Sequence, residues 1–548
     1  MLDITYGVDF TKIDKMAMDL GINIDDAKRI ESAIKYSLCI ASNNGNTEVV
    51  KENLIEFVKN LIGSSTENIK EAIINLHSKK DIMFEEQEDQ EWIALNTFYT
   101  CEKNIAEKIV ALEKANNIKN IKNFDSKFKK IEKSTNIILS SKQKEAVKLV
   151  NTNNVCIITG GPGTGKTTII KFIIDMYKKE GKKVVLCAPT GRAAKRMTET
   201  TGEEAKTIHR LLEIGKQEES LTMDRLECPI TPIDADVIIV DEMSMVDVFL
   251  MNYILKGIYL GTKLVLVGDA NQLPSVGPGN VLKDIIESNV IPTVELNEIF
   301  RQAAKSKIVI NAHRVNEGEQ LLIKEADDEK EKDFFFINEA SQEKALKEVI
   351  SLCSGRLKNY GNYDFFKNIQ VLTPTKKGML GTKELNKALQ KELNGEKHKK
   401  EKTYGERIFR IDDRVMQIKN NYDIYWMKDE ETGTGVFNGE IGKIKDIDDD
   451  AKQIEIIFDD GKTVWYEYND LEQIEHAYAL TIHKSQRKWI WCCNTMLASS
   501  GSNASYKKFT IYRNNKSKKT INHCREYWNC KIYDWKYWFK KEKYGVKV

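Results

Sequence analysis

The sequence predicts an α/β protein in which a helical region precedes a parallel sheet and a small β-rich insert follows it. Residues up to about Thr135 show helical periodicity with few helix-breaking residues. After Ser140, short apolar runs end in glycine or acidic loops and alternate with helical patterns, which is typical of buried parallel strands. From about Phe409 to Leu471 the pattern changes to short strands and turns. These strands and turns predict a small β-barrel inserted before a final α/β segment.

The individual elements follow from local signals. Asp25 to Ile30 is typical of a helix start, and so is Glu67 to Glu71. The parallel strands are predicted at residues 155–158, 183–186, 237–240 and 263–267. In the β-rich stretch, Asn438-Gly439 and Asp460-Gly461 are hairpin signals.

The amino-acid composition indicates which classes of protein the chain can belong to. The chain has 548 residues, of which 41% are hydrophobic and 30% charged, and its mean hydropathy is −0.46. No apolar run is long enough to span a membrane, and the start has no secretory pattern, so we expect a cytoplasmic protein without membrane contacts. The ten cysteines are scattered, which favours reduced thiols over a zinc site.

A glycine-rich loop follows the first buried strand. It matches the pattern Gly-x-x-x-x-Gly-Lys-Ser/Thr, in which backbone N–H groups curl around phosphates. Lys166 would then reach the β- and γ-phosphate oxygens, and the Thr167 hydroxyl would bind Mg²⁺. A chance glycine turn is disfavoured because a strand precedes the loop and a helical stretch follows it. The predicted nucleotide-binding residues here are Gly160, Gly161, Pro162, Gly163, Thr164, Gly165, Lys166, Thr167 and Thr168.

An acidic pair ends a later buried strand. Asp241 would face the Mg²⁺ shell, and Glu242 would polarise the attacking water. An apolar strand ending in Asp-Glu is common by itself, but its spacing behind the glycine-rich loop predicts hydrolysis of ATP or GTP.

Two further residues are candidates for sensing the γ-phosphate. Gln272 follows a third strand end, where it could transmit the loss of that phosphate. Arg301 stands where a second lobe could contact the phosphate across a cleft, although an isolated arginine is most often a solvated surface residue.

The ordered motifs resemble those of RecD-like helicases, the 5′-to-3′ branch of superfamily 1. The resemblance covers most of the chain to Gln486 and is far more specific than the glycine-rich loop alone. Besides the residues above, it rests on Leu139–Gln143, Ala188–Ala194, Thr207–Leu212, Leu372–Thr375 with Gly378, Asn438–Gly442 and Ala477–Gln486.

The resemblance implies roles for these positions. Gln143 would read adenine, and residues 481–486 would couple nucleotide state to the grip on the DNA strand. Taken alone, Thr190 and Thr373 would more often be loop or helix-cap residues, and His209 and His483 ordinary hydrogen-bonded histidines. Their order and spacing within the family pattern shift the balance toward DNA contact. The implied DNA-binding residues are Pro189, Thr190, Arg192, His209, Thr373, Pro374, Asn438, Thr481 and His483.

The resemblance also implies a fold of two RecA-like P-loop NTPase lobes with an N-terminal helical domain and an SH3-like β-barrel insert. We expect the helical region with a partial helix-hairpin-helix over residues 1–135 and the first lobe over 136–300, with a strand-separating pin at 202–233. The second lobe would occupy 301–400 and 472–486, interrupted by the barrel at 401–471, and an aberrant tail would follow at 487–548.

Two departures from the family stand out. Residues 6–17 look like the middle of a helix-hairpin-helix unit, so we expect an additional N-terminal module to be missing. After Gln486, Arg487 stands where the family has glycine, and the tail holds 15 Lys/Arg against 3 Asp/Glu. Codons chosen for residues 511–524 and read one nucleotide later give Tyr-Thr-Ala-Ile-Thr-Arg-Ala, the family's closing arginine segment. A frameshift would therefore explain the basic tail, and an intact reading frame in resequenced DNA would contradict it.

The functional expectation is an ATP- and Mg²⁺-dependent 5′-to-3′ DNA helicase acting on single-stranded DNA and duplex junctions, in repair or recombination. The missing arginine segment puts turnover by this polypeptide in question, because such arginines contribute on the order of 10³ or more in rate. The alternative is a non-catalytic nucleotide- or DNA-binding fragment. Partners in a nuclease or repair complex stay open.

Overall fold

A computed structural model describes most of the chain and divides it into two compact units, Met1–Glu298 and Ile299–Val548. The described residues are 10–87, 89–115, 120–135, 137–161, 163–214, 226–298, 307–316, 319, 322, 334–339, 341–357, 359, 364–396, 398–429, 431–485, 492–498 and 506–512. Within them, no helix combines the length and the apolar character needed to span a membrane.

The N-terminal part of the first unit is helical, as predicted, but it also contains a sheet. The helices predicted near Asp25 and Glu67 form, with side chains of Asp26 and Ser65 accepting hydrogen bonds from the backbone of the first turn. The antiparallel sheet of order β1-β3-β2 was missed because, apart from Gly45 before β1, no glycine or proline separates these short strands from the helices. The elements are α1 (Phe10–Asp19), α2 (Ala27–Asn43), β1 (Glu48–Val50), α3 (Lys51–Ile62), α4 (Thr66–Ser78), β2 (Ile82–Gln87), β3 (Gln90–Leu95), α5 (Asn96–Glu113) and α6 (Phe124–Thr135).

A buried arginine connects these helices. Arg29 is 3% exposed and forms a bidentate ion pair with Asp14, at 2.7 Å from Nε to Oδ1 and 2.9 Å from Nη2 to Oδ2. Its guanidinium also donates to the carbonyl of Ile62 at the end of α3, at 3.2 Å. The planar guanidinium group of Arg29 therefore connects α1, α2 and α3.

The rest of the first unit is a parallel sheet of order β6-β5-β7-β8-β4-β9, and the four predicted strands are confirmed. Residues 205–207, inside the predicted pin, are an edge strand of this sheet, while residues 215–225 of the pin lie outside the described part. The elements are α7 (Ser141–Thr152), β4 (Val155–Gly160), α8 (Lys166–Lys179), β5 (Val184–Ala188), α9 (Gly191–Thr201), β6 (Ala205–Thr207), α10 (Ile208–Leu212), β7 (Val237–Val240), α11 (Val248–Lys256), β8 (Lys263–Gly268), α12 (Val281–Glu287) and β9 (Thr293–Leu296).

The sheet has a hydrophobic core on each face. Ile157 and Leu266 belong to one core, which continues into the N-terminal helices, whereas Ile158 and Val265 belong to the other, against α7 and α8. Strands buried on both faces read as continuous apolar runs, which is why the sequence revealed them.

The second unit contains a mixed sheet of order β10-β23-β22-β11-β21. Strand β11 pairs in parallel with β21 on one side and β22 on the other. Strands β22 and β23 fall in the predicted frameshifted tail; Arg487 and residues 513–524 lie outside the described residues. The elements are α13 (Lys307–Asn316), β10 (Phe335–Glu339), α14 (Gln342–Ser351), a π-helical turn (Leu352–Arg356), α15 (Phe365–Asn368), β11 (Ile369–Thr373), α16 (Thr382–Leu393), β21 (Ala479–Thr481), α17 (Ile482–Ser485), β22 (Cys492–Ala498) and β23 (Tyr506–Tyr512).

A barrel-like antiparallel sheet of order β16-β15-β19-β18-β17-β14-β20 interrupts this unit. Asp460-Gly461 joins the paired strands β18 and β19, so that hairpin is confirmed. The hairpin predicted at Asn438-Gly439 is wrong, because β16 and β17 are not neighbours; Gly439 instead makes a turn at φ +94°. Strands β12 (Glu401–Tyr404) and β13 (Arg407–Arg410) pair in a separate two-stranded sheet. The strands of the seven-stranded sheet are β14 (Arg414–Gln417), β15 (Asn421–Lys428), β16 (Glu431–Val436), β17 (Ile441–Asp448), β18 (Gln453–Phe458), β19 (Thr463–Glu467) and β20 (Ile474–His476).

A fully buried carboxylate joins the barrel to the mixed sheet. Asp413 is 0% exposed, and its oxygens accept hydrogen bonds from Gln390 on α16 at 2.6 Å and from Asn394, which caps the end of α16, at 2.8 Å. It also accepts from the Tyr478 hydroxyl at 2.8 Å and from the backbone N–H of Arg410 at 2.7 Å. The carboxylate is thus satisfied only when barrel, helix and strand are all in place.

Replacing this carboxylate should destabilise the second unit. Asp413→Ala leaves several buried donors without an acceptor, so we expect the free energy of unfolding to fall by about 3 kcal/mol. Chemical denaturation followed by circular dichroism measures this loss. Asp450→Ala, on an exposed turn of the same barrel, is the matched control and should change stability little. Equal stabilities of the two variants would contradict the proposed joining role.

A half-buried carboxylate predicts a pH dependence of the first unit. Burial raises the pKa of Glu102 on α5 to about 7, and neighbouring Glu48 and Asp284 add to the rise. Between the unfolded pKa and about 7 the folded state binds the extra proton, so stability falls as pH rises through this window.

Glu102→Gln should remove that dependence. We expect the variant to be more stable than the parent above pH 7, by on the order of 2 kcal/mol, and equal to it near pH 4.5. Melting temperatures measured across this range test it, with the exposed Glu107→Gln on the same helix as control. A constant difference at all pH values would speak against burial of the charge as the cause.

Candidate functional site

The predicted site residues of the first unit follow the carboxyl ends of neighbouring parallel strands. The glycine-rich loop follows β4, Asp241 and Glu242 follow β7, and Gln272 lies in the loop after β8. Because parallel strands point the same way, the loops at their carboxyl ends share one edge of the sheet. The parallel pairing of β4, β7 and β8 therefore places these candidates along that edge.

The conformation of the glycine-rich loop depends on its glycines. Gly163 and Gly165 have φ values of +79° and +85°, which other residues rarely adopt. A Cβ at Gly160 would lie 2.8 Å from the Cβ of Leu296 on β9, so the strand also needs glycine there. The Thr164 hydroxyl donates to the carbonyl of Gly161 at 2.6 Å and closes the loop on itself. Pro162 lies outside the described residues.

The lysine of this loop points into it. Lys166 is 8% exposed, and its ammonium donates to the carbonyls of Gly160 and Gly161. Thr167 and Thr168 occupy the first turn of α8, where backbone N–H groups carry the positive end of the helix dipole. This arrangement provides a cation and an anion-binding helix start at one place, which suits a polyphosphate.

Both polar groups of the Gln143 side chain, the predicted adenine contact, form hydrogen bonds within the protein. It is 2% exposed; its Oε1 accepts from the backbone of Ser140 at 3.0 Å, and its Nε2 donates to the carbonyl of Thr164 at 3.1 Å. The side chain therefore caps α7 and ties it to the glycine-rich loop. Reading of adenine by Gln143 stays a prediction.

A buried lysine holds the opposite end of α7. Lys263 Nζ donates to the carbonyls of Val150, Asn151 and Asn153, at 3.0, 3.1 and 2.6 Å. Burial lowers the pKa of Lys263 to about 8, but the ammonium sits on the negative end of the helix dipole. Together, Gln143 and Lys263 fix both ends of α7 against the sheet.

The acidic pair adopts a constrained turn. Asp241 Oδ1 accepts from the backbone N–H of Glu242 at 2.8 Å, and Glu242 has a left-handed φ of +58°. For a residue other than glycine this conformation stores strain, which is common at functional sites. The Glu242 carboxylate lies 3.7 Å from the guanidinium of Arg196 on α9, a contact that sequence reasoning missed.

Gln272 contacts the turn that follows the acidic pair. The hydroxyl of Ser244 donates to Gln272 Oε1 at 2.6 Å, and Ser244 is 7% exposed. Gln272 thus links the loop after β8 to the loop after β7. Sequence reasoning identified Gln272 but not Ser244, because an isolated serine carries no distinguishing pattern.

The predicted DNA-binding residues of the first unit also cluster. Strands β5 and β6 are parallel neighbours, with Ala188 opposite Thr207, so Pro189 and Thr190 follow one strand and His209 follows the other. The Thr190 hydroxyl accepts from Ala193 N–H at 3.3 Å, so it does cap α9. The cationic side chains of this region are Arg192, Lys195, Arg196, Lys206 and Arg210, and His209 lies in the same stretch of the chain.

In the second unit, Thr373 and Thr481 stand opposite each other at the ends of β11 and β21. Both are buried, at 1% and 6% exposure, and the Thr373 hydroxyl donates to the carbonyl of Leu380 at 2.6 Å. The Thr481 hydroxyl accepts from Lys484 N–H at 3.4 Å and caps α17. DNA contacts by these two side chains stay predictions.

The remaining residues of the second unit are not all described. Pro374 is exposed in the loop after β11, whereas Asn438 lies in the barrel turn between β16 and β17. Arg301 and the side chain of His483 lie outside the described residues. Sequence reasoning did not select Lys376 and Lys377, which are exposed beside Pro374.

The donor set fits a magnesium–nucleotide complex. The Thr167 hydroxyl and the Asp241 carboxylate are oxygen ligands of the kind that Mg²⁺ prefers. Over the described part of the chain, no group of three or more His, Cys, Asp or Glu side chains could hold a metal. Mg²⁺ in nucleotide sites usually takes its other ligands from phosphate and water oxygens.

Comparison with protein families gives three matches in chain order. Residues 1–48 match the ATP-dependent RecD2 DNA helicase HHH domain, and residues 138–334 match an AAA domain. Residues 385–458 match the ATP-dependent RecD-like DNA helicase SH3 domain.

Individual relatives agree with these matches. The chain is 30% identical over 492 residues to the ATP-dependent RecD2 DNA helicase of Deinococcus radiodurans, covering 88% of this chain and 63% of that protein. It is 26% identical to the RecBCD enzyme subunit RecD of Buchnera aphidicola subsp. Schizaphis graminum, covering 63% of this chain and 66% of the relative. The chain thus spans less than two thirds of the length of either relative.

Among solved structures, the Pif1 helicase from Candida albicans matches at 18% identity. The match covers 72% of this chain and 93% of that chain, with a TM-score of 0.36.

The hydrogen bond between Ser244 and Gln272 predicts a kinetic effect. Ser244→Ala should lower kcat for nucleotide hydrolysis about fivefold, since one hydrogen bond contributes about 1 kcal/mol. KM should change less than about twofold, because the serine does not lie in the glycine-rich loop. Steady-state hydrolysis assays measure both. The exposed Ser288→Ala is the control, and a raised KM with unchanged kcat would contradict the linking role of Ser244.

Proposed function

We propose that this chain, which belongs to the RecD-like helicases, hydrolyses ATP to move along single-stranded DNA in the 5′-to-3′ direction. One observation carries the proposal. The parallel sheet of the first unit presents Lys166, Asp241 and Gln272 in neighbouring strand-end loops, with Ser244 bonded to Gln272. Such an arrangement can bind a nucleotide and report the loss of its γ-phosphate to other parts of the chain.

The chemistry follows from the residues. Thr167 and Asp241 would hold Mg²⁺, and the bound ion would neutralise charge on the β- and γ-phosphates. Lys166 would leave the loop carbonyls for phosphate oxygens, and Glu242 would accept a proton from the attacking water. Gln272 would then transmit the change through Ser244 to the turn after β7.

DNA would be gripped by both units. The cationic side chains near the ends of β5 and β6 are suited to phosphates, since phosphate contacts dominate affinity for nucleic acids. The exposed loop with Pro374, Lys376 and Lys377 would provide the grip of the second unit. Duplex junctions as substrates, a cytoplasmic location and work in repair or recombination are parts of the same proposal.

A second candidate is a chain that binds nucleotide and DNA without turnover. The sequence after Gln486 favours it. There Arg487 replaces the family's glycine, and the closing arginine segment is absent from the translated reading frame.

ATP hydrolysis by the purified full chain, with and without oligo-dT, tests the proposal. We expect stimulation by single-stranded DNA and a loss of at least about 10²-fold in rate for Lys166→Ala, because the ammonium stabilises the transferring phosphate. Lys171→Ala, exposed on the same helix, should keep the parental rate.

The remaining outcomes separate the candidates. Nucleotide binding without turnover would support the non-catalytic fragment. Turnover without any response to DNA would point to a P-loop ATPase acting on another substrate. Direction is tested with duplexes carrying a 5′ or a 3′ single-stranded tail, and unwinding from the 3′ tail alone would contradict the 5′-to-3′ assignment.

A further inference from the structure

Glu242, the proposed catalytic base of the first unit, is in contact with a helix that begins at the predicted DNA-binding edge. Arg196 Nη1 on α9 lies 3.7 Å from Glu242 Oε1, and both side chains are mostly shielded, at 14% and 24% exposure. The two residues are 46 positions apart in the sequence, so only the neighbouring placement of β5 and β7 creates this pair.

Helix α9 also carries other cations at its exposed N-terminal end. Arg192 precedes Arg196 by four residues, so the two lie on the same side of the helix about one turn apart. Lys195 is exposed between them. A polyanion that binds Arg192 thereby comes within about one helical turn of the guanidinium that faces Glu242.

The geometry of the pair allows exchange of the anion. At 3.7 Å the contact is longer than the roughly 2.7–2.9 Å of a charge-assisted hydrogen bond. A phosphate is an equally good partner for a guanidinium, since both carboxylate and phosphate can be bound by two parallel N–H donors. Phosphate binding would therefore compete with Glu242 for Arg196.

The backbone of Glu242 is held by hydrogen bonds, so replacement of Glu242 by a phosphate at Arg196 would change only the position of the Glu242 side chain. The turn is pinned by the hydrogen bond from Glu242 N–H to Asp241 Oδ1 and by Met245 N–H donating to the Glu242 carbonyl at 3.0 Å. Release of Arg196 would remove this ion pair, and the Glu242 carboxylate would then rotate toward the attacking water.

We propose that Arg196 is a DNA-responsive restraint on Glu242. Without DNA, the guanidinium pairs with the carboxylate and keeps basal hydrolysis low. With DNA, a backbone phosphate takes the guanidinium, and Glu242 acts as the base once this ion pair is broken. This inference rests on the proposed function, and Arg196 is a positioning residue in it because it acts through Glu242.

The first test compares hydrolysis rates with and without oligo-dT. Arg196→Gln should raise the DNA-free rate about two- to fivefold, as expected for loss of a partly exposed ion pair, and should reduce stimulation by DNA. Arg196→Lys should be intermediate, because a lysine keeps the charge without the planar fork. Equal decreases of the rate with and without DNA would overturn the restraint and indicate general support of the site.

The second test needs no turnover. Affinity for labelled oligo-dT is measured by fluorescence anisotropy for the parent, E242Q, R196Q and the double variant. Glu242→Gln should tighten DNA binding about two- to fivefold when Arg196 is present and leave it unchanged in the R196Q background. If the Arg196–Glu242 ion pair is the same with and without DNA, Glu242→Gln will change the affinity for oligo-dT equally in the parent and in R196Q. That result would overturn the proposal.

Lys195→Gln is the matched control, one position away on the exposed side of α9. It should weaken DNA binding and lower its salt dependence, with the same effect of Glu242→Gln as in the parent. Thermal melting of each variant establishes that it is folded. Absence of turnover in all variants would refute the proposed enzyme but not the restraint, whereas absence of DNA binding by the parent would refute the restraint.

Discussion

Parallel pairing of β4, β5, β7 and β8 is the constraint on which the first unit depends. In a parallel sheet every strand must return to the same starting edge, so every carboxyl-end loop emerges on the same side. Residues widely separated in sequence, such as Lys166, Asp241 and Gln272, thereby follow strands that end at the same edge of the sheet. The strands can be parallel only because both faces are covered by apolar cores.

The supports around this edge are polar groups buried at the ends of helices. Gln143 connects the start of α7 to the glycine-rich loop, and Lys263 holds the carbonyls at the end of that helix. Both side chains are nearly inaccessible to solvent and satisfied by backbone groups. The same principle appears in Arg29 and Asp413, where one buried charge connects several elements. A buried charge of this kind is stable only with all its partners, so it favours one arrangement of those elements over others.

Function then arises from contacts that cross between loops. Ser244 joins the acidic turn to Gln272, and Arg196 joins it to the helix that carries Arg192. The acidic turn is therefore linked to the predicted phosphate sensor on one side and to the predicted DNA-binding helix on the other. In the proposed mechanism, Glu242 is therefore the point at which DNA binding and hydrolysis would influence each other.

The sequence by itself determined the parallel strands, the glycine-rich loop and the acidic pair, because burial on both faces and phosphate binding each impose a local pattern. It also determined the resemblance to the helicases, since that depends on ordered motifs. It missed β2 and β3, took Asn438-Gly439 for a hairpin, and could not identify Arg196, Ser244, Lys263 or Asp413. The functions of these residues depend on partners 28 to 113 positions away, or on several elements at once. Such contacts leave no periodicity in the chain, so only the tertiary structure decides them.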